Sequence, residues 1–159
     1  MTPAVNILKK KKIAYTLHRY HHDQSAHSYG LEAAQKLDLH PERVFKTLVA
    51  SLDTGELVVA IVPVTSMLNL KLLARACTSK KCAMAEKTLV EKTTGYVLGG
   101  ISPLGQKKQL RTIIDSSAKL FKTMYISAGR RGLEIEMNPL DLVHLTRGSF
   151  AAIMEDSSS

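Results

Sequence analysis

Hydrophobic and polar positions change period several times along the chain. Ala4, Val5, Ile7 and Leu8 form an apolar helical face behind Thr2-Pro3, a threonine N-cap followed by a first-turn proline. The lysines at 9–12 suit the C-terminal end of that helix. Ile13 to Tyr20 reads as a strand and the polar stretch His21 to Ser28 as a loop. Gly30 to Leu39 carries Leu31, Ala34 and Leu37 at helical spacing. Val44 to Leu52 and Leu57 to Val62 are β-rich, and Asp53-Thr54-Gly55-Glu56 joins them as a hairpin. Asn69 is placed to cap a helix through Ala76, and a second short helix covers Thr88 to Lys92. Short strands follow at Thr112–Ile114 and Met124–Ser127. Leu133 to Met137 then alternates Leu, Glu, Ile, Glu, Met, the pattern of a strand with one buried face. Asn138-Pro139 starts a helix to about Leu145, and Phe150 to Met154 gives a last strand. There is no internal repeat and no regular βαβ rhythm. The expectation is an α/β fold, a mixed sheet with helices packed around it. Residues 1–154 read as a single domain and Glu155 to Ser159 as a disordered polar tail.

Composition narrows the class. With 159 residues the chain is long enough to bury a real core. No run of about twenty apolar residues is present, so no membrane span is expected. The N-terminal lysines lack the apolar segment of a secretory signal. Cys77 and Cys82 form neither a disulfide framework nor a zinc-spacing motif. The cytoplasm is therefore the expected compartment. The net charge of +8 favours a polyanionic partner. It gathers at Lys9–Lys12, Lys80–Lys81, Lys107–Lys108 with Arg111, and Arg130–Arg131, with no acidic run to answer it, which points to nucleic acid. Aromatic residues make up 5% with no Trp, which argues against a broad base-stacking platform.

The candidate chemistry begins with GGISPLG, Gly99 to Gly105. Gly100 and Gly105 have the separation of a phosphate-binding loop, but Gln106 stands where its lysine belongs, so nucleotide hydrolysis is excluded. What remains is a rigid turn: Gly99 and Gly100 let a ligand approach the main chain, and Pro103 fixes the backbone and holds Ser102 extended. Lys46, within VFKTLVA, lies among apolar residues on both strand faces. It either reaches water along its stem or enters a pocket, where its ammonium anchors a phosphate or a developing oxyanion. SAGRRG, Ser127 to Gly132, is a basic hairpin tip or a rim of amides and guanidiniums that holds phosphates. His18, His21 and His22 lack recurring ligand spacing and read as a wet loop beside Tyr20 rather than a metal site. Cys82, though preceded by two lysines, reads as an ordinary thiol. Ser102 and Ser127 lack the nucleophile-elbow pattern of a hydrolase triad.

Taken in order, TPAVNILKKKKIAYTLHRY, YGLEAAQKL, VFKTL, GGISPLGQKK and SAGRRGLEIE resemble the YbaK/EbsC-type Cys-tRNA(Pro)/Cys-tRNA(Cys) deacylases. These are related to the inserted editing domain of bacterial prolyl-tRNA synthetase, and the resemblance runs from about Thr2 to Ile153. It implies a compact α/β fold with a mixed, barrel-like sheet and a pocket for the charged 3′ end of tRNA. It also implies that Lys46 anchors the terminal adenosine. Tyr20, Tyr29, Thr47, Ser127 and Gly129 match substrate-pocket positions, and Gly99, Gly100, Ile101, Ser102 and Pro103 match a loop whose backbone faces the aminoacyl group. Glu134 stands where several relatives have Asp. Arg130, Arg131, Lys107 and Lys108 are the expected tRNA contacts. The implied mechanism uses the thiol of the substrate itself, so no protein nucleophile, metal or cofactor is expected. Prolyl-tRNA synthetase is the implied protein partner. Hydrolysis of another small aminoacyl ester, such as alanine, and a non-catalytic tRNA-binding module are the competing readings.

Overall fold

The computed structural model of the protein describes residues 1–26 and 28–156; His27 and the last three serines of the expected tail lie outside the described residues. The first helix, α1 (Pro3–Lys11), begins as its sequence dictates. The Thr2 hydroxyl accepts the Val5 amide at 3.2 Å, and Lys12 turns left-handed at φ 56° to end it. There follow β1 (Thr16–Arg19), α2 (Tyr29–Lys36), β2 (Phe45–Leu52), β3 (Leu57–Pro63), α3 (Leu70–Ala76), β4 (Cys82–Met84) and α4 (Lys87–Thr94). The second half supplies β5 (Arg111–Asp115), β6 (Met124–Ser127), β7 (Leu133–Met137), α5 (Pro139–Thr146) and β8 (Ser149–Ala151). Asn69 caps α3 by accepting the Leu72 amide at 3.0 Å, and Asn138 caps α5 by accepting that of Leu140 at 2.8 Å.

The strands form two sheets, a three-stranded one in the order β1-β7-β6 and a five-stranded one in the order β4-β2-β3-β5-β8. The second is mixed: β2 pairs antiparallel with β3 and β4, whereas β3–β5 and β5–β8 are parallel. The expected α/β architecture is therefore present, but the expected barrel is not closed. A single parallel bridge, Val44 to Tyr125, is the strand-type link between the sheets among the described residues.

Burial explains the arrangement. Every residue of β3 is buried, as its unbroken apolar run requires of a central strand covered on both faces. One face, with Val59 and Ile61, packs against Ile126 and Ile135 of the smaller sheet and against Val5 and Leu8 of α1. The other face, with Val58, Ala60 and Val62, packs against Leu73 and Cys77 at α3.

Several boundaries differ from expectation, among them the end of α2 at Lys36, and one strand, β4, is unexpected. Lys12 ends α1 so sharply that Ile13–Tyr15 form a connection, and β1 pairs only from Thr16 to Arg19. The last strand pairs over Ser149–Ala151, because the Ile153 amide turns away to the Asp115 carboxylate at 3.0 Å. β4 has no alternating pattern of its own and is held by its pairing with β2. Within the expected tail, the Glu155 amide bonds to the Met67 carbonyl at 2.8 Å. Among the described residues no helix is long and apolar enough to cross a membrane.

Candidate active site

A cavity of about 440 Å³ lies where β2, the start of α4, the glycine-rich turn and the β6–β7 turn meet. Five consecutive residues of β2, Phe45 to Val49, line it, so side chains from both strand faces reach the space. The β2–β3 pairing sets their register, with Lys46 opposite Val62 and Thr47 opposite Ile61. Lys46 is half-buried and makes no ion pair among the described residues. Burial pulls its ammonium below the usual lysine value. Lys46 thus lines the cavity while remaining partly exposed.

Ser127 and Glu134 also line the cavity and stand opposite each other across β6 and β7. Burial without a compensating charge pushes the Glu134 carboxyl up to about 8, so it carries its proton at neutral pH. Its Oε2 and the Oγ1 of Thr47 are buried and have no hydrogen-bond partner in the protein among the described residues. Two such atoms lining one cavity, one from each sheet, are what a polar ligand would satisfy. The Ser127 hydroxyl is already engaged, accepting the Gly129 amide at 3.1 Å. Tyr20, just past β1, donates its amide to Gly132 at 3.0 Å, and burial raises its phenol above the ordinary value. Among the described residues the remaining cations of the lining are Lys87, Arg130 and Arg131, and Glu134 is its one carboxyl. With that carboxyl protonated, the cavity is positively charged.

The glycine-rich turn does something other than leave open space. Gly99 lines the cavity at φ +92°, but a Cβ there would lie 2.5 Å from the Tyr29 ring and 2.8 Å from Arg131. At Gly100 a Cβ would come within 2.9 Å of the Arg130 backbone. The close approach that these glycines permit is therefore made by the protein's own β6–β7 turn and by Tyr29. Ile101 joins the lining, whereas Gly100, Ser102, Pro103 and Gly129 are not part of it. The Ser102 hydroxyl accepts the Leu104 amide at 3.3 Å, and its carbonyl accepts Gln106 Nε2 at 3.1 Å. Gln106, the residue that excluded a phosphate loop, also accepts the Leu110 amide through Oε1 and so braces the turn. Lys107 and Lys108 are exposed, away from the cavity lining.

Sequence reasoning missed the group that holds Tyr29 and Arg131 in place. The Arg131 guanidinium stacks 3.5 Å from the Tyr29 ring centroid and reaches His22 Nε2 at 3.4 Å. His22 Nδ1 lies 2.7 Å from Glu32 Oε1. If Arg131 donates to Nε2, the imidazole proton sits on Nδ1 and is donated to Glu32. Glu32 is buried, which favours its neutral form, yet bonds from His22, the Asp23 amide and Lys36 outweigh this and hold its carboxyl below the usual range. Glu32 and Lys36 are visible in the sequence as an i,i+4 pair, but the burial of Glu32 is not. His18 is placed elsewhere, 2.9 Å from Glu136, and His21 is exposed. Met84, Lys87, Val90 and Leu98 also line the cavity, and no local sequence signal marks them. The Cys82 thiol donates to the Leu70 carbonyl, and burial raises its pKa, consistent with an ordinary thiol.

Comparison with known proteins gives a consistent result. The family described as the aminoacyl-tRNA editing domain matches residues 24–145. EbsC of Enterococcus faecalis, whose name proposes a Cys-tRNA(Pro)/Cys-tRNA(Cys) deacylase, is 36% identical over 152 residues, covering 96% of this chain and 92% of the relative. Among solved structures, one described as a proposed trans-editing enzyme for prolyl tRNA synthetase superposes with a TM-score of 0.79 at 20% identity, covering 96% of this chain and 93% of the other. A protein described as hypothetical superposes with a TM-score of 0.85 at 22% identity, over 96% and 99% of the two chains. At those identities the structural likeness is one of fold.

Proposed function

The chain belongs to the aminoacyl-tRNA editing domain family, whose activity is aminoacyl-tRNA hydrolysis, and from that premise we propose that it is a trans-editing deacylase removing cysteine from mischarged Cys-tRNA(Pro). The supporting observation is the positively charged cavity, whose lining brings together Lys46, Thr47, Gly99, Ser127 and Glu134. Lys46 anchors the terminal adenosine, and Arg130 and Arg131 meet the backbone that follows it.

The aminoacyl ester is already activated, and cysteine supplies its own nucleophile. The substrate sulfur bonds to its own carbonyl carbon, the bond from that carbon to the ribose oxygen breaks, and the thiol proton ends on the ribose hydroxyl. The products are a cyclic thiolactone and free tRNA. The cavity contributes by holding thiol and carbonyl together, for which effective molarities of ~10^5 M or more are attainable. The Gly100 amide is committed to the Val97 carbonyl at 2.9 Å. The oxyanion donors in this reading are therefore the Gly99 and Ile101 amides, which bond to no protein acceptor among the described residues. Specificity follows from the chemistry, since proline and alanine carry no thiol. The same reading places the protein in the cytoplasm, in contact with prolyl-tRNA synthetase.

The test is release of amino acid from Cys-tRNA(Pro), Ala-tRNA(Pro) and Pro-tRNA(Pro) by the purified protein and by Lys46→Ala. Loss of cysteine alone, abolished in the variant, is the expected result. Loss of alanine would keep the cavity and replace thiol attack by water attack. Full activity in Lys46→Ala would sink the role of Lys46, and binding without release from any substrate would leave a tRNA-binding module.

A further inference from the structure

A second cavity, of about 410 Å³, lies between α3 and the segment leading into β4, lined by Leu70, Lys71, Arg75, Ser79, Lys80, Lys81 and Cys82. None of its four cations makes an ion pair among the described residues. The Asp53 carboxylate bonds a lining residue, and it is taken by the Ser79 hydroxyl at 2.5 Å.

Lysines on an edge strand have an ordinary use, since they discourage pairing with another chain. That explanation reaches Lys80 and Lys81, which lead into edge strand β4. It does not reach Lys71 and Arg75, which sit one turn apart on α3. Like charges at that spacing are destabilising unless an anion lies between them. Here two more cations, Lys80 and Lys81, line the same space.

The position of this cleft is the second observation. Cys82 lines it, and Met84, two residues along the same short strand, lines the first cavity. Alternate residues of a strand share a face and lie about 7 Å apart, so one face of β4 contributes to both cavities. A chain of phosphates leaving the first cavity on this side meets the four cations at once.

We propose that the cleft of Lys71, Arg75, Lys80 and Lys81 binds phosphodiester groups of the tRNA whose aminoacylated end occupies the first cavity. The proposal rests on the deacylase reading for its substrate. The cleft works in binding rather than chemistry, and it supplies part of the salt-dependent affinity for the tRNA body.

Two double variants at exposed positions test it: Lys80→Ser with Lys81→Ser, and Lys71→Gln with Arg75→Gln. Binding of uncharged tRNA is measured across KCl concentrations. Deacylation is measured on Cys-tRNA(Pro) and on cysteinyl-adenosine, which reaches only the first cavity. Each variant should lower the slope of log affinity against log salt by about 1–2. Each should raise KM for Cys-tRNA(Pro) about tenfold, the loss of one or two phosphate contacts, with kcat and cysteinyl-adenosine cleavage unchanged. Unchanged slope and KM would overturn the proposal, as would a parallel loss on cysteinyl-adenosine. Intact tRNA binding with lost affinity for prolyl-tRNA synthetase would overturn it in favour of a protein partner. If the unmodified protein cleaves neither substrate, the deacylase reading fails, while the slope with uncharged tRNA still decides the cleft.

Discussion

Glu134 shows how much a single residue's surroundings decide. Its carboxyl is pushed up to about 8 from an ordinary 4.5 by burial. Between those values the unfolded chain has released the proton and the folded chain retains it, so stability falls as pH rises, by at most about 1.4 kcal/mol per unit. Glu32 and Glu136, held below the ordinary range, run the other way and lose their contribution only as pH falls through acid values. Glu134→Gln keeps the shape and removes the ionisation. Urea unfolding at pH 5 and pH 8 should show a clear loss of stability in the parent protein and a smaller one in the variant. Equal losses would mean that the carboxyl is not held protonated. The alternation in Leu133–Met137 revealed the strand but treated its two glutamates alike. Only Glu136 follows the pattern, half-exposed beside His18 and Thr123, because Glu134 faces a cavity formed by elements far away in sequence.

At the level of elements, what was legible was local. Thr2-Pro3, Asn69 and Asn138-Pro139 mark helix starts because a capping bond spans two or three residues. β4 was not legible, since a three-residue strand is stabilised by its partner and not by its own pattern. Nor was the strap from Glu32 through His22 and Arg131 to Tyr29, which joins α2 to the β6–β7 turn across the cavity rim. His22→Leu removes both imidazole bonds while keeping most of the volume. With each such bond worth about 1 kcal/mol, KM for the aminoacyl-tRNA should rise by about fivefold to thirtyfold with kcat unchanged. His22→Gln can accept from Arg131 and donate to Glu32, and it should recover most of the loss. A merely structural role for His22 predicts reduced stability with no change in KM and no such rescue.

For the whole molecule, charge and class were readable, whereas the open two-sheet topology was not. The parallel pairs join segments far apart in the chain, such as Ala60 with Ile113 and Ile114 with Phe150, and nothing local encodes those partners. With a single strand-type bridge between them, the sheets are held together by the core they share. Leu8 of α1 lies in that core with Val59 and Ile61 of the larger sheet and Ile126 and Ile135 of the smaller. α1 also supports the walls of the candidate site: a Cβ at Gly105 would lie 2.5 Å from the Pro3 carbonyl carbon, and one at Gly129 would lie 3.4 Å from Thr2. Leu8→Ala should therefore cost about 2–5 kcal/mol, as fully buried leucines do. If the shared core makes the sheets one cooperative unit, native-state hydrogen exchange should show that loss equally at β3 and β7 amides. Loss of protection at β7 with β3 untouched would show instead that the sheets unfold separately, and that the cavity between them opens without global unfolding.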